Sequence, residues 1–322
     1  MIYLLETNEV MPHWYVGFCE LLSKGLGNVH SVETSDSLLN PVFGTLTAND
    51  WLFITSYKDL AYPSVISSKA KKVYFHQGSG ACPYMDCIDV EQERKDLKNV
   101  DLHLFSLPTF ERLTKKYYQL ENTATIGFPL DLSKYEKYRA VPKKKKIVVS
   151  GHITPGKQFY LATYLLKDLM PEYEVWFSVI EHVGGATGTW TEFYHLSQFE
   201  EMGFKFRIIK DKPSAETTPK GQEEFYEFLS DASHIFTCSL ADTIALPIVE
   251  GALCGATPIA PAIRNYWPQF MDYVSYGYEP FSQEDIIDII KNVDIKFYNP
   301  PKIDTKWFDS KLVIERLLEV LV

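Results

Sequence analysis

The amino-acid sequence predicts an α/β protein built from two doubly wound parallel sheets. Short apolar runs suited to buried strands alternate with helix-length segments along most of the chain. This alternation stops once, at residues 129–146, in a polar segment with prolines near both ends. The chain has 322 residues, of which 46% are hydrophobic, so it can fill two cores. Strand–helix alternation is typical of parallel sheets covered by helices on both faces, and the pause indicates a boundary between two domains.

The apolar runs predict five strands in each half of the chain, with helices between them. The predicted strands are 2–5, 51–55, 72–76, 102–106, 124–128, 146–150, 173–180, 204–209, 234–238 and 257–260. The predicted helices include 14–27, 159–170, 223–232 and an amphipathic segment at 308–322. From this order we expect an N-terminal domain over 1–132, a linker over 133–145, a C-terminal domain over 146–307 and a terminal helix over 308–322.

Charge argues against a protein whose whole surface binds nucleic acid. The formal net charge is -10, whereas phosphate contacts need a basic face. Lysines 143–146 form a local basic run. This run either contacts nucleic acid or is a solvated charged stretch before a strand, and we favour the second interpretation.

Cysteine usage and hydropathy indicate the compartment. The five cysteines are scattered and lack the spacing of metal ligands, which indicates reduced thiols and no metal site. The N-terminus lacks a signal-peptide pattern, and no apolar run approaches the roughly 18 residues that a membrane-spanning helix needs. We therefore expect a cytoplasmic protein without a membrane span.

One segment in the second half is suited to bind an anion. The strand at 234–238 is followed by a loop, and Pro247 is suited to the first turn of a helix, where its missing N–H is not needed. Gly255 is suited to cap that helix at its C-terminus. The N–H groups at the helix start, with Ala245 and Leu246 among the expected contacts, and the positive end of the helix dipole favour a diphosphate.

Two carboxylates bracket the start of this helix. Asp242 and Glu250 have seven residues between them, so they could accept hydrogen bonds from different hydroxyls of one extended ligand. The alternative is that Asp242 caps the helix and Glu250 is a surface residue. Glu250 lies in a stretch of apolar and small residues, where a carboxylate without a partner is costly. This context favours a ligand.

A second candidate anion site follows the strand that opens the second domain. The sequence IVVSGHITPGKQ, at 147–158, contains Gly151, His152 and Lys157. Either the strand delivers Lys157 to a phosphate, for which lysine serves as a point charge, or a surface hairpin happens to contain a lysine.

Together the two segments resemble the donor site of retaining, nucleotide-sugar-dependent glycosyltransferases of the GT-B architecture, the family related to sucrose and glycogen synthases. The family pattern is an acid, seven residues, a glutamate, a small-residue helix, a glycine, Thr-Pro and an apolar strand. Here the corresponding residues are Asp242, Glu250, Gly255, Thr257 and Pro258. The resemblance implies two Rossmann-like domains with an interdomain cleft.

The resemblance also implies a role for each matching residue. Gly151, His152 and Lys157 would bind the donor diphosphate, Glu250 the nucleotide ribose, and Asp242 the transferred sugar. Two positions depart from the family pattern. His152 stands where the family has arginine, and Asp242 stands where it has glutamate.

In the first half the resemblance is thin and depends on a single histidine. His76 ends the predicted strand 72–76, where the family has a histidine close to the donor sugar and the acceptor hydroxyl. The alternative is a histidine whose nitrogens bond neighbouring backbone at a strand end. The glycine pair that the family often carries after its first strand is absent from 6–14.

The resemblance implies transfer of a sugar from a nucleoside-diphosphate donor to an acceptor hydroxyl with retention of configuration, with a UDP-sugar expected as donor and no metal or other cofactor. The acceptor is a glycan, a small molecule or a hydroxymethylated DNA base, since compact members of this architecture modify bacteriophage DNA. Lysines 143–146, with Lys115 and Lys116, are the candidate DNA contacts. The alternative is a catalytically inactive GT-B-like binding or scaffold protein. The oligomeric state is left open.

Overall fold

The structure is a computed structural model that forms two compact units. It describes residues 1–6, 13–26, 29–33, 41–55, 57–76, 90–152, 158–181, 197–210, 219–239, 242, 244–261, 272–274, 276–292 and 303–321. One unit consists of Met1–Asp131 together with Lys306–Val322, and the other of Leu132–Thr305.

Strands and helices alternate along the described part of the chain, as the sequence predicts. The strands are β1 Ile2–Glu6, β2 Val29–Glu33, β3 Trp51–Ile54, β4 Lys71–His76, β5 Leu102–Phe105, β6 Thr123–Thr125, β7 Lys144–His152, β8 Glu174–Glu181, β9 Lys205–Lys210, β10 Ala232–Phe236, β11 Thr257–Pro261 and β12 Tyr276–Tyr278. The α-helices are α1 His13–Leu26, α2 Pro41–Thr45, α3 Pro63–Ser67, α4 Val90–Leu97, α5 Pro108–Tyr118, α6 Glu136–Arg139, α7 Phe159–Leu166, α8 Pro219–Ser230, α9 Leu246–Leu253, α10 Gln283–Asn292 and α11 Ser310–Leu321.

The first unit is a six-stranded sheet in the order β2-β1-β3-β4-β5-β6, and all of its pairings are parallel. Its strands are rich in apolar residues because they are buried by helices on both faces. Leu5, Leu52 and Tyr74 belong to a core cluster that also contains Leu97 of helix α4 and Val65 of helix α3. The edge strand β2 is an addition to the predicted set.

The end of the chain belongs to this first unit. Helix α11 buries Val313 and Leu317, one turn apart, as its amphipathic pattern predicts. A Cβ on Gly25 would lie 2.2 Å from the side chain of Ile314, so α1 and α11 approach closely. The strand-like segment after β6 also pairs with the chain before α11, since the Phe128 N–H donates to the Trp307 carbonyl at 2.7 Å.

The second unit is also a six-stranded parallel sheet, in the order β12-β11-β10-β7-β8-β9. The chain builds β7, β8 and β9 to one side, and then returns to place β10, β11 and β12 on the other side of β7. The strand order therefore reverses between β7 and β10. In doubly wound folds, ligands bind at the carboxyl ends of the strands where this reversal occurs.

The segment predicted as a linker, 133–145, has a structure of its own within the second unit. A 3₁₀ turn spans Leu132–Tyr135 and is followed directly by α6. Tyr135 and Tyr138 are buried, and strand β7 begins at Lys144, before the end of the predicted linker. The sequence signal was ambiguous because polar and charged residues surround the two aromatic ones.

The basic run at 143–146 agrees only in part with the favoured interpretation of a solvated charged stretch: Lys144 and Lys145 are largely exposed, whereas Lys143 and Lys146 lie among protein groups. Lys143 donates to the carbonyls of Ser230, the last residue of α8, and Cys254, the residue after α9. Lys146 is 6% exposed and donates to Asp231 at 2.7 Å. These four lysines therefore tie β7 to neighbouring elements. The remaining ion pairs are Lys144–Asp231 at 2.8 Å and Lys145–Glu172 at 3.6 Å.

Candidate functional site

Helix α9 begins and ends as the sequence predicts. Pro247 lies in its first turn. At its C-terminus, Gly255 has a φ of +95°, a left-handed conformation that favours glycine. The Gly255 N–H donates to the Ala252 carbonyl, and the Ala256 N–H donates to the Gly251 carbonyl at 2.9 Å. These two bonds form a Schellman motif, which fixes the end of the helix.

Small residues let α9 lie close to the sheet. A Cβ on Gly251 would lie 2.8 Å from the Cβ of Ile235, which is in the middle of β10. Any larger residue at 251 would push the helix away from the strand. The close packing fixes the position of the preceding residue in the helix, Glu250, relative to the edge of the second sheet where the strand order reverses.

The N–H groups predicted to bind a diphosphate donate hydrogen bonds within the protein. The Ala245 N–H donates to the Tyr273 hydroxyl at 3.3 Å, and the Leu246 N–H donates to the Ile244 carbonyl at 3.0 Å. A diphosphate that used these N–H groups would have to replace both bonds. Exchange of a protein acceptor for a phosphate oxygen is close to neutral in free energy only if that oxygen is well placed, because each N–H must regain the hydrogen bond that it loses.

Glu250 is buried and bonded to a tyrosine. Its side chain belongs to the buried face of α9, and the residue is 6% exposed. The Tyr226 hydroxyl donates to Glu250 Oε1 at 3.1 Å, and the Tyr135 hydroxyl donates to the Tyr226 hydroxyl at 3.2 Å. The surface interpretation of Glu250 is wrong, because this carboxylate lies among buried groups.

Asp242 and the end of β7 lie at the same edge of the second sheet. Strands β7 and β10 are neighbours and run parallel, so their carboxyl ends meet there. Asp242 follows β10 and is half-buried. Gly151 and His152 are the last residues of β7, and their backbone pairs with Val179 and Ile180 of β8.

Lys157 lies outside the described residues, so the structure leaves its predicted diphosphate contact as a prediction.

In the first unit, His76 forms a buried pair with a second histidine. His76 Nε2 lies 3.0 Å from Nδ1 of His103, which is on the neighbouring strand β5. The His76 ring stacks on Phe105 at a centroid distance of 4.3 Å and meets the edge of Tyr74 at 4.4 Å. His76 Nδ1 is buried without a hydrogen-bond partner in the described part of the chain.

Burial keeps this histidine pair neutral. The loss of solvation lowers the pKa of His76 well below its ordinary value, and proximity to His103 lowers it further. Burial also lowers the pKa of His103 to about 4. A neutral imidazole at this position can donate or accept a hydrogen bond, but it cannot supply a positive charge.

The described residues offer neither a metal site nor a membrane-spanning helix. They contain no group of three or more His, Cys, Asp or Glu side chains close enough to hold a metal ion. They also contain no helix long and apolar enough to cross a membrane. Cys238 and Cys254 are free thiols, and both are buried.

Sequence comparison identifies no relative: no protein-family model matches the chain, and no curated protein matches it. Solved structures do match. Anabaena HepE in complex with UDP-glucose superposes with a TM-score of 0.73 at 13% identity, and the match covers 99% of this chain and 98% of that one. This chain has the GT-B fold. The match extends over nearly the whole length of both chains and includes both parallel sheets of this one.

Two further structures share the GT-B fold with lower similarity. The Escherichia coli protein of the structure named for trehalose-6-phosphate, bound with UDP-2-fluoro glucose, matches with a TM-score of 0.63 at 10% identity, over 99% of this chain and 95% of that one. The pneumococcal O-GlcNAc transferase GtfA, in complex with UDP and GlcNAc, matches with a TM-score of 0.57 at 11% identity, over 86% of this chain and 57% of that one.

Sequence reasoning missed the partners of the predicted site residues. Tyr226, His103 and Tyr273 each bond a predicted residue, yet none stands near it in the sequence; Tyr226 is 24 positions from Glu250. For Tyr226 the sequence contains one signal. It is an aromatic residue on the predicted helix 223–232, and this helix must cover the strand that precedes Glu250. The others have no local signal.

Proposed function

We propose that the chain transfers a sugar from a nucleoside-diphosphate sugar to an acceptor hydroxyl, with retention of configuration. The observation that carries this proposal is the buried carboxylate of Glu250 at the strand-order reversal of a GT-B fold. A buried carboxylate is a strong acceptor for a pair of ribose hydroxyls. Proteins of the same fold have been crystallised with UDP or UDP-glucose, which supports a nucleotide at the corresponding edge.

In this proposal each site residue has a role that its chemistry permits. Glu250 accepts hydrogen bonds from the ribose, and Asp242 contacts the sugar. Gly151, His152 and Lys157 contact the diphosphate, together with the N-terminus of α9, whose Ala245 and Leu246 N–H groups exchange their present partners for phosphate oxygens. His76, as a neutral imidazole, hydrogen-bonds the sugar or the acceptor hydroxyl.

Catalysis would then depend on position and electrostatics more than on a protein nucleophile. The protein holds the acceptor hydroxyl near the anomeric carbon, and positive groups stabilise the charge that develops on the leaving diphosphate. The acceptor hydroxyl transfers its proton to an oxygen of that diphosphate as the new glycosidic bond forms and the old one breaks. A UDP-sugar is the proposed donor, with no further cofactor.

The proposed acceptor is a hydroxyl of a glycan or small molecule. Transfer to a hydroxymethylated DNA base is the second acceptor class, but the lysines 143–146 give it little support. Lys143 and Lys146 donate to backbone carbonyls, and Lys144 and Lys145 are paired with acids. Lys115 and Lys116, at the exposed end of α5, remain as basic groups for such an acceptor.

The test is release of nucleotide from UDP-, GDP- and ADP-sugars, measured by mass spectrometry with glycan and hydroxymethylated-DNA acceptors. We expect release from a UDP-sugar that rises with one acceptor, and a product whose anomeric configuration, measured by NMR, matches the donor. Glu250→Gln should lower turnover at least tenfold. Glu93→Gln is the matched control, since Glu93 is also a buried glutamate that accepts from a tyrosine, Tyr118 in the first unit.

A binding or scaffold role without turnover is the second candidate function. It is favoured by the occupied Ala245 and Leu246 N–H groups and by the departures at Asp242 and His152. Binding of UDP in calorimetry, combined with no release from any donor in the panel, would support this role and would contradict the transferase proposal.

A further inference from the structure

Three buried hydroxyl and carboxylate groups form a chain of hydrogen bonds behind the proposed ribose contact. The chain runs from Tyr135 through Tyr226 to Glu250, with oxygen–oxygen distances of 3.2 and 3.1 Å. All three residues are at most 6% exposed. They come from different elements: the 3₁₀ turn before α6, helix α8 and helix α9. The folded second unit, and not local sequence, therefore creates the chain.

Packing holds the middle member of this chain in place. The Tyr226 ring lies 4.8 Å from the Tyr135 ring and 5.7 Å from the Tyr138 ring, measured between centroids. Contacts on the ring restrict its rotation, so its hydroxyl is aimed at Glu250 before any ligand arrives. A hydroxyl held in this way loses little entropy when it makes its bond.

The direction of the hydrogen bonds is fixed by the protonation of both tyrosines. Burial, and after it the nearby charge of Glu250, raises the pKa of Tyr135 and of Tyr226 far above the ordinary value. Both hydroxyls therefore keep their protons. Each has one proton to donate, and Tyr226 donates to Glu250 while it accepts from Tyr135.

A carboxylate at the end of such a chain keeps one orientation. A glutamate side chain has several rotamers, and a buried one without a hydrogen bond is costly. A carboxylate has about four acceptor positions and a bond from one hydroxyl uses one of them, so the Tyr226 bond does not by itself exclude hydrogen bonds from a diol. The charge-assisted bond from Tyr226 thus serves to orient Glu250 and not to block it.

We propose that Tyr226 is a positioning residue that orients Glu250 toward the ribose hydroxyls of the donor nucleotide, and that Tyr135 supports it through the second hydrogen bond. This inference rests on the proposed function, because it names how the ribose contact of that site is held. Neither tyrosine touches the reacting atoms, so both act through Glu250 on donor binding.

The test compares UDP with 2′,3′-dideoxy-UDP, which lacks both ribose hydroxyls. Affinities are measured by isothermal calorimetry for the wild type, Tyr226→Phe, Tyr135→Phe and Glu250→Gln. For UDP we expect Tyr226→Phe to lower affinity about fivefold to tenfold, since a bond to a charged group is lost. Tyr135→Phe should lower it about twofold. For dideoxy-UDP both tyrosine variants should bind as the wild type does, because the group that they orient has no hydroxyl to hold.

Turnover gives a second readout that a loss of structure would not imitate. With a UDP-sugar, Tyr226→Phe should raise KM for the donor by the same factor and leave kcat within about twofold, because the ribose contact is the same in the ground state and the transition state. Tyr118→Phe is the matched control. It removes a buried hydroxyl that donates to Glu93 in the first unit, so it should lower stability without changing UDP affinity.

Each outcome decides between the inference and the proposed function. If UDP, GDP and ADP all fail to bind the wild type, the proposed function and this inference are both wrong. If UDP binds and Glu250→Gln weakens it while Tyr226→Phe binds as tightly as the wild type, the inference alone is wrong. It is also wrong if Tyr226→Phe weakens UDP and dideoxy-UDP equally. Should Tyr226→Phe not fold, as judged by near-ultraviolet circular dichroism, Tyr135→Phe alone decides the question through the same comparison.

Discussion

At the scale of single residues, two buried histidines have the most direct consequence for solution behaviour. His103 and His234 are almost fully enclosed, and neither gains a carboxylate that would favour its charged form. Burial lowers the pKa of His103 to about 4 and that of His234 to about 3. Both side chains are therefore neutral in the folded protein at every pH where the unfolded chain would begin to protonate them.

This neutrality predicts that acid destabilises the fold. An unfolded histidine has a pKa of about 6.5, so at pH 5.5 the unfolded chain binds a proton that the folded one does not. Stability is therefore complete above pH 6.5 and falls as pH drops toward 4, by about 1 kcal/mol for each histidine at pH 5.5. We expect the free energy of unfolding of His103→Asn, measured in urea, to fall about 1 kcal/mol less than that of the wild type between pH 7.5 and 5.5. Equal losses would contradict this account of His103.

Gly255 gives a second prediction for a single residue. Its φ of +95° disfavours any residue with a side chain, and an added Cβ would lie 2.9 Å from Lys143 Nζ. Gly255→Ala should therefore lower the free energy of unfolding by about 1–2 kcal/mol. Gly44→Ala is the control, because nothing lies within 4 Å of an added Cβ there, and within helix α2 it should leave the free energy of unfolding unchanged or raise it by up to about 1 kcal/mol. Chemical denaturation of both variants measures the difference.

At the scale of elements, the contact between α9 and β10 sets the position of the candidate site. The glycine at 251 allows the helix to touch Ile235, and the Schellman motif at Gly255 stops the helix where the next strand must begin. Lys143, just before β7, reaches the ends of α8 and α9, and Lys146 of β7 reaches the last turn of α8, so the start of this central strand also anchors both helices. The site residues therefore depend on how closely one helix packs.

We expect Gly251→Ala to damage both stability and the site. An added methyl group would lie 2.8 Å from Ile235, so α9 must move outward or strain, at about 1–3 kcal/mol. Because Glu250 directly precedes Gly251 in the helix, UDP affinity should fall as well. Ala252→Gly is a useful comparison, since it weakens the same helix by about 1 kcal/mol without adding volume. Unchanged UDP binding in Gly251→Ala would show that the position of Glu250 does not depend on this contact.

At the scale of the whole molecule, the chain forms two units, and its last segment belongs to the first of them. Phe308, Val313 and Leu317 are fully buried in that unit although they follow the second unit in sequence. The Arg316 guanidinium donates to the Ile126 carbonyl at 3.1 Å. The first unit is therefore completed only when the end of the chain is present.

Removal of residues 306–322 should consequently affect the two units unequally. The deletion exposes the surface of α1 that the segment covers and removes the hydrogen-bond partners of Phe128 and Leu130, just after β6. In hydrogen exchange, we expect peptides from β1, β5, β6 and α1 to lose protection, because local stability follows packing and hydrogen bonding. Peptides from β7, β8 and β10 should keep theirs. Equal loss in both sets would contradict the division into units.

Much of the fold could be read from local patterns, with failures at particular elements. The buried strands β3, β4, β7 and β10 were predicted because continuous apolar runs are distinctive. The edge strands β2 and β12 were missed, since VHSVE and YGY carry few apolar residues and gain their structure from a neighbouring strand. The pattern of 133–145 predicts a linker because charged residues surround Tyr135 and Tyr138, whose burial depends on contacts with α8.

The sequence by itself determined the α/β class and the helix bounded by Pro247 and Gly255, because both depend on local propensity. Asp242 and Glu250 are candidates because of their spacing around that helix, and His152 and His76 because of the resemblance of their segments to a known family. Only the tertiary structure decided which groups those residues meet. Tyr226 reaches Glu250 across 24 positions, and Tyr135 reaches Tyr226 across 91. His103 meets His76 through the pairing of two neighbouring strands. Such contacts arise when separate elements pack and bury polar groups together, and no local pattern records them.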